Sequence, residues 1–314
     1  MRLLVTGAGG LLGSEFVRFG MGRGEAEASG ASPGTTPPSE AKVNVEIVGL
    51  LRTDLDVTDG PQVVQAMGDL EPDWVVHCAA YTAVDRAEQE PEEAMRVNRD
   101  GTANVAAAAA GQGVRLLYIS TDYVFDGRKD EPYLPSDPVA PLSVYGETKL
   151  AGEETALAAG GVAVRTGWLY GAGGGNFVDG ILRRAQRGES LRVVDDQRGR
   201  PTWTKNVAEG VVELLVGHSS AAVGGRFGGG AQDLTGVWHL ADGGDATWLE
   251  LARAAVRLRG LDVGVEGVSS EEWGAPAPRP TYTVLDLAAT EAALGRSMMP
   301  WRDALERYVG TREG

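Results

Sequence analysis

The sequence has almost no residues from which to build a disulfide or a metal centre. Cys78 is its one cysteine, so no internal disulfide can form. His77, His218 and His239 are too few and too scattered for a metal cluster. Cys78 lies in an apolar run and reads as an inert core residue. Cations are scarce as well: Lys+Arg number 29 against 44 Asp+Glu, a net charge of −15. That balance excludes general nucleic-acid binding, which needs a basic surface. An anionic substrate would have to be met by arginines gathered locally. Apolar runs are short, and none approaches the ~18 residues of a membrane span. The N-terminus opens directly into a short apolar strand, without the charged and apolar regions of a signal peptide. The expectation is a cytoplasmic chain in a reducing compartment.

The remaining composition, with 43% hydrophobic and 23% charged residues over 314 positions, is that of a globular protein with a substantial core. Arg2–Thr6 is an apolar run that ends in Gly7-Ala8-Gly9-Gly10-Leu11-Leu12-Gly13, and a helical pattern follows through Phe16, Val17 and Phe19. Strand, glycine turn and helix together form the context in which backbone approaches a pyrophosphate at a helix N-terminus. Residues 20–42 are rich in Gly, Ala, Ser, Pro and Thr and read as a flexible insert. Further strands read at Val43–Val48, Trp74–Ala80 and Arg115–Thr121, with a helix through Asn98–Ala110 between the last two. Asp59 and Thr247 stand where helix N-caps are expected. Alternating buried strands and helices predict an α/β fold, a doubly wound parallel (Rossmann) sheet with ligands at the strands' C-terminal ends. After the second strand an NAD enzyme often carries an acid for the ribose 2′-hydroxyl. Here Arg52 follows instead, which points to a 2′-phosphate and NADPH, with NADH as the other possibility.

Tyr145-Gly146-Glu147-Thr148-Lys149 sets a phenol and an ammonium one helical turn apart, on one face. The chain otherwise prefers arginine; only Lys42, Lys129, Lys149 and Lys205 are lysines. A phenol of pKa about 10 is a poor acid near neutrality, and a neighbouring cation is expected to lower that value. The pair suits proton transfer to or from a carbonyl oxygen.

Four segments together carry a resemblance: the Gly7 turn, Cys78-Ala79-Ala80-Tyr81-Thr82-Ala83-Val84-Asp85, Ser120-Thr121-Asp122-Tyr123-Val124-Phe125-Asp126-Gly127, and Tyr145 through Glu153. The sequence resembles extended short-chain dehydrogenases, and more closely the dTDP-4-dehydrorhamnose reductase family. The likeness continues through Arg165–Tyr170, Asn176-Phe177, Asp196–Thr202 and Val237–Leu240, leaving out residues 20–42 and 219–235. It implies reduction of the 4-keto group of dTDP-4-dehydro-L-rhamnose to dTDP-L-rhamnose with NADPH or NADH. By the same resemblance Tyr145 is the proton donor, Lys149 lowers its pKa and bonds the nicotinamide ribose, and Thr121 polarises the carbonyl. Gly7, Gly10, Leu11, Leu12 and Gly13 would hold the pyrophosphate, Asp56 and Val57 would meet the adenine, and Ala80, Tyr81 and Thr82 would pass beside ribose and phosphates. Asp122 and Trp168 would touch the sugar, and Asn176, Gln197, Arg200 and Arg279 the nucleotide diphosphate or thymine.

Some members of this family dimerise around magnesium held by glutamates. Glu15 and Glu189 fall near two such positions, but no clear third carboxylate stands at the C-terminus, so the expectation is no metal. The partner is then a dTDP-sugar, and the chain a monomer or homodimer. Residues 1–165 would form the cofactor domain and 166–314 mainly a smaller α+β lobe for the nucleotide sugar, with segments returning to the first domain. A ketoreductase of another dTDP-6-deoxyhexose is the nearest alternative. A non-catalytic cofactor-binding subunit has no need of Thr121, Tyr145 and Lys149 together. A dehydratase expects a second carboxylate where Tyr123 stands.

Overall fold

The computed structural model describes residues 1–28, 44–220 and 234–311. A six-stranded parallel sheet forms its centre, built from β1 (Arg2–Thr6), β2 (Glu46–Leu50), β3 (Trp74–His77), β4 (Arg115–Thr121), β5 (Val162–Thr166) and β10 (Gly236–His239) in the order β10-β5-β4-β3-β1-β2. The order reverses between β1 and β3, which opens a crevice at the carboxyl ends of those strands. Successive residues turn to opposite faces. Leu3, Val5, Val76, Leu117 and Val164 pack on one side with Phe16, Val207 and Val211. Leu4, Val75, Leu116 and Tyr118 pack on the other with Val63, Met67 and Val105.

Helices α1 (Gly13–Ala28), α2 (Gly60–Leu70), α3 (Val84–Ala87), α4 (Pro91–Met95), α5 (Gly101–Gln112) and α6 (Val144–Ala158) connect these strands or cover the sheet. Asp59 caps α2 by accepting the N–H of Gln62 at 3.1 Å, a bond of a type worth ~1 kcal/mol. α1 runs on through residues 20–28, the first part of the stretch expected as an insert; residues 29–42 lie outside the described residues. The second strand begins at Glu46 rather than Val43, and Val43 itself lies outside the described residues. The expected helix from Asn98 starts instead within a π-helical turn, Arg96–Asp100. The glycine-rich stretch at residues 224–230, which reads from sequence as a loop, also lies outside the described residues.

A second layer sits over the carboxyl edge of the sheet. It holds β6 (Leu169–Tyr170), α7 (Phe177–Gln186), β7 (Leu191–Val194), β8 (Arg198–Gly199), β9 (Thr202–Trp203), β11 (Ala246–Thr247), α9 (Trp248–Leu258), β12 (Val265–Val268), α10 (Ser270–Trp273) and α12 (Trp301–Gly310). α8 (Thr204–Ser220) and α11 (Ala288–Leu294) pack back towards the large sheet. β7 pairs parallel with β12, and α7 and α9 cover that pair. Thr247 and Glu250 form a reciprocal capping box at the start of α9. Leu251 and Ala255 are buried there, whereas Leu258 is 40% exposed at the helix end. Among the described residues no helix is long and apolar enough to cross a membrane.

α6 lies close against the π turn. Thr102 Oγ1 donates to the Asn98 carbonyl at 2.7 Å, and Gly152 of α6 faces that same carbonyl and the Tyr118 hydroxyl. A Cβ on Gly152 would overlap both. On a free helix Gly→Ala stabilises by about 1 kcal/mol. Here Gly152→Ala is expected to reverse that sign and lower the free energy of unfolding by roughly 1–3 kcal/mol, as read from urea denaturation.

Candidate active site

β1 ends in a turn that only glycine can make. Gly7 has φ +67°, and a Cβ there would lie 2.7 Å from the backbone of Ala79, beyond the end of β3. The turn delivers Leu11 and Leu12 to the N-terminus of the 16-residue α1. Among the described residues no protein acceptor takes their N–H groups. These are free donors at the positive end of a helix, and they fit a pyrophosphate. Gly10, Leu11, Leu12 and Gly13 line one end of a cleft of about 690 Å³.

Arg52, Asp56, Val57, Ala80 and Thr82 continue the same wall. Arg52 is exposed just after β2. Asp56 accepts from Thr58 N at 2.9 Å and Thr58 Oγ1 at 2.8 Å. Those two bonds hold its carboxyl below the ordinary value. Tyr81 differs: its hydroxyl turns away to Glu90 at 2.7 Å, while its N–H is held by Asn98 Oδ1 at 2.8 Å. Only its backbone is placed to steer the loop. Cys78 is half-buried, packs against the core and also lines the cleft. Burial pushes its thiol up to about 12, so it stays protonated.

Mid-cleft, the ends of β4 and β5 meet α6. Thr121, Asp122, Tyr145 and Lys149 all line this section. Thr121 pairs with Thr166 across the strands, and its Oγ1 donates to Asp122 Oδ1 at 3.2 Å. Ser143 caps α6 by accepting the Gly146 N–H at 3.2 Å, which fixes the turn that carries Tyr145. Lys149 is buried; its Nζ donates to the Ile119 carbonyl at 2.6 Å and lies 4.1 Å from the centre of the Tyr118 ring.

The electrostatics correct one expectation. Burial pushes the Tyr145 phenol up to about 12, against a smaller downward pull from its bond with Thr121. Burial pushes the Lys149 ammonium down to about 7. The lysine is bonded to a carbonyl rather than aimed at the phenol, so loss of water outweighs attraction between the two. Asp122, 2% exposed, is pushed up to about 7 by the same cause.

The far end of the cleft is aromatic. Trp168 has φ +53°, rare for a bulky residue, and its indole stacks on Trp248 with centroids 3.6 Å apart and planes 2° apart. Phe177 meets the other ring at 4.6 Å. Trp168, Trp248, Asn176 and Phe177 all line the cleft. Asn176 also caps α7, accepting the Asp179 N–H at 3.0 Å and donating to the Gly171 carbonyl at 2.9 Å.

Gln197 stands behind this wall, accepting the Trp248 indole N–H at 3.1 Å and donating to Ser270 at 2.9 Å. Arg200 is spent on the carbonyls of Leu285 and Gly244, both at 2.7 Å. Arg279 grips Asp85 with two bonds of 2.8 and 2.9 Å. Neither arginine lines the cleft. Glu15 pairs with Arg18, and Glu189 with Arg184 and Arg187. Among the described residues no cluster of three or more His, Cys, Asp or Glu is placed to hold a metal. Trp248 was missed from sequence, where its signal was a capping box one residue earlier.

A family model described as the RmlD substrate binding domain matches residues 1–313. The chain belongs to this family. It is 40% identical to a dTDP-4-dehydrorhamnose reductase of Streptomyces griseus over 97% of this chain and 91% of that one. A dTDP-4-keto-6-deoxy-D-glucose reductase of Streptomyces niveus is 37% identical over 97% and 95%. The crystal structure of a dTDP-4-dehydrorhamnose reductase from Bacillus anthracis in complex with NADP superposes with a TM-score of 0.83, at 32% identity and 99% of each chain.

Asp122 gives the site a pH signature. Its folded pKa is raised, so between about pH 4 and 7 the folded protein holds a proton that the unfolded chain has lost. Its contribution to stability therefore falls as pH rises through that window. Asp122→Asn carries no such proton. Its stability relative to the parent is expected to rise by roughly 2 kcal/mol from pH 5 to pH 8, measured by urea unfolding at both values.

Proposed function

We propose that the protein reduces the 4-keto group of a dTDP-6-deoxyhexose with NADPH, and that dTDP-4-dehydro-L-rhamnose, giving dTDP-L-rhamnose, is its substrate. The observation that carries this reading is the meeting of Thr121, Tyr145 and Lys149 midway along one cleft, between a pyrophosphate-type turn and an aromatic wall. NADPH, when bound, supplies hydride to the carbonyl carbon. NADH is the second possible donor. Leu11 and Leu12 would hold the pyrophosphate through their N–H groups, and Arg52 the 2′-phosphate. Residues 1–165 would serve mainly the cofactor, and residues 166–314 mainly the sugar.

The protein's own residues manage the oxygen. Thr121 turns its one hydroxyl hydrogen from Asp122 Oδ1 to the ketone oxygen and favours charge arriving there. Tyr145 gives its phenolic proton to that oxygen as the new C–H bond forms. A phenol pushed up to about 12 is fully protonated near neutrality, which is the form a proton donor needs. The alkoxide it meets is a stronger base still, so transfer runs downhill. Lys149, in its charged form, stabilises the phenolate left behind. Trp168 and Trp248 offer an apolar face for the sugar or base, with Asn176 at its edge.

A second sugar within the same class is favoured by a specific observation. The Streptomyces niveus relative matches the same 97% of the chain as the Streptomyces griseus reductase and carries a different substrate in its name. The deciding assay follows NADPH loss with dTDP-4-dehydro-L-rhamnose and identifies the product by NMR. Absence of turnover with this ketone, alongside turnover with another dTDP-4-ketohexose, would move the assignment to that sugar. Tyr145→Phe is expected to lower kcat by about 10²–10⁴ while cofactor binding persists; unchanged turnover would contradict the mechanism. Arg52→Ala is expected to raise the KM for NADPH more than that for NADH, and equal changes would remove Arg52 from the 2′-phosphate site.

A further inference from the structure

α6 carries another buried charge beyond its tyrosine and lysine. Glu153 follows Lys149 by four residues, as Lys149 follows Tyr145, so the three side chains lie along one stripe of the helix. Glu153 is 1% exposed. Its Oε2 accepts from Ser120 Oγ at 2.6 Å and from Arg165 Nε at 3.0 Å, and its Oε1 from Arg165 Nη2 at 2.5 Å. Ser120 and Arg165 are register partners across β4 and β5, and the next pair along is Thr121 and Thr166. One carboxylate thus binds both members of a strand pair from the helix that packs across them. Arg165 is fixed in turn by the Pro135 carbonyl at 3.3 Å and the Phe125 ring at 5.0 Å.

We propose that Glu153 is a positioning residue: its carboxylate locks α6 to the β4–β5 pair one residue behind Thr121, so that Tyr145, Lys149 and Thr121 keep a common geometry. This rests on the reading of those three residues as the catalytic groups. A buried ion pair adds little stability over a well-packed apolar replacement, because desolvation offsets the attraction. What it adds is direction. A guanidinium gripping a carboxylate at two points holds a helix at one depth and one rotation, whereas apolar contacts let it settle elsewhere.

The same carboxylate acts on Lys149. His77 and Cys78 face the ammonium from β3 and the residue after it, Tyr118 from β4, and Glu153 from α6 itself, where Tyr145 lies one turn towards the open end. His77, Cys78, Tyr118 and Tyr145 are all uncharged near neutrality, since burial lowers the first and raises the others. Cys78 and then Glu153 oppose the effect of burial on the ammonium; with the thiol protonated, Glu153 is the one of the two that carries a charge, and Arg165 is its counter-ion.

Four lysines in the chain allow a direct test. With lysine side chains labelled by ¹³C, Lys149 is assigned by its absence in Lys149→Met and titrated by NMR in the parent, Glu153→Gln, and the double variant Glu153→Gln/Arg165→Met. Glu153→Gln is expected to lower the Lys149 midpoint by roughly half a pH unit or more. The alkaline limb of kcat for ketone reduction should move down with it, and kcat should fall more than KM rises. Glu153→Gln also strands Arg165, so Tm drops; the double variant removes both charges and recovers Tm, while the Lys149 midpoint and kcat stay low. A Lys149 midpoint unchanged in both variants, or a double variant whose kcat recovers with its Tm, would overturn the proposal. The titration and Tm need no substrate, so they decide the matter even if no dTDP-ketose is turned over.

Discussion

Everything at the centre of the cleft depends on how closely α6 lies against β4. The approach is possible because Gly152 presents no side chain to the Asn98 carbonyl and the Tyr118 hydroxyl. Tyr118 in turn donates to the Lys149 carbonyl at 3.2 Å. The stripe of Tyr145, Lys149 and Glu153 then faces the sheet, with Glu153 against Ser120 and Arg165 at its deep end and Tyr145 at the open end. Thr121 closes the group from β4. A wider spacing would let water to Lys149 and return both the phenol and the ammonium to ordinary pKa values.

Burial therefore holds the phenol in its acid form and brings the ammonium towards its neutral one. The phenol is protonated, and the ammonium, pushed down to about 7, sits close to the boundary between its two forms. Neither group achieves this through the other. Desolvation does it, and the cost is carried by a fold that surrounds the pair with β3, β4 and α6. An anionic, polar ligand would restore some of the lost solvation and favour the charged ammonium.

The residues that could be found from sequence were those whose meaning is local. The Tyr145–Lys149 spacing follows from the helical repeat alone, and β4 was read to the residue because Arg115–Thr121 is one continuous apolar run ending in hydroxyls. The Gly7 turn was legible because strand, glycine and helix follow one another without interruption. β2 was displaced by three residues because the register is set by β1, with Arg2 opposite Glu46, and not by apolar content. The start of the expected insert was helical because α1 continues past Gly20. Arg200 and Arg279 looked free in sequence, but carbonyls 44 or more residues away, or an aspartate 194 residues away, claim them. The direction of the Tyr145 shift was equally out of reach, since it depends on burial rather than on the neighbouring residue type.

If the proposed reduction takes place in this cleft, hydride arrives at a sugar C4 and a proton at its oxygen. The most direct measurement uses NADPH carrying deuterium at the transferring position of its nicotinamide, with dTDP-4-dehydro-L-rhamnose, and reads the product by ¹H and ²H NMR. One deuterium at C4 of the product sugar is expected for each NADPH consumed. Deuterium at another carbon, or product formed without label at C4, would contradict it.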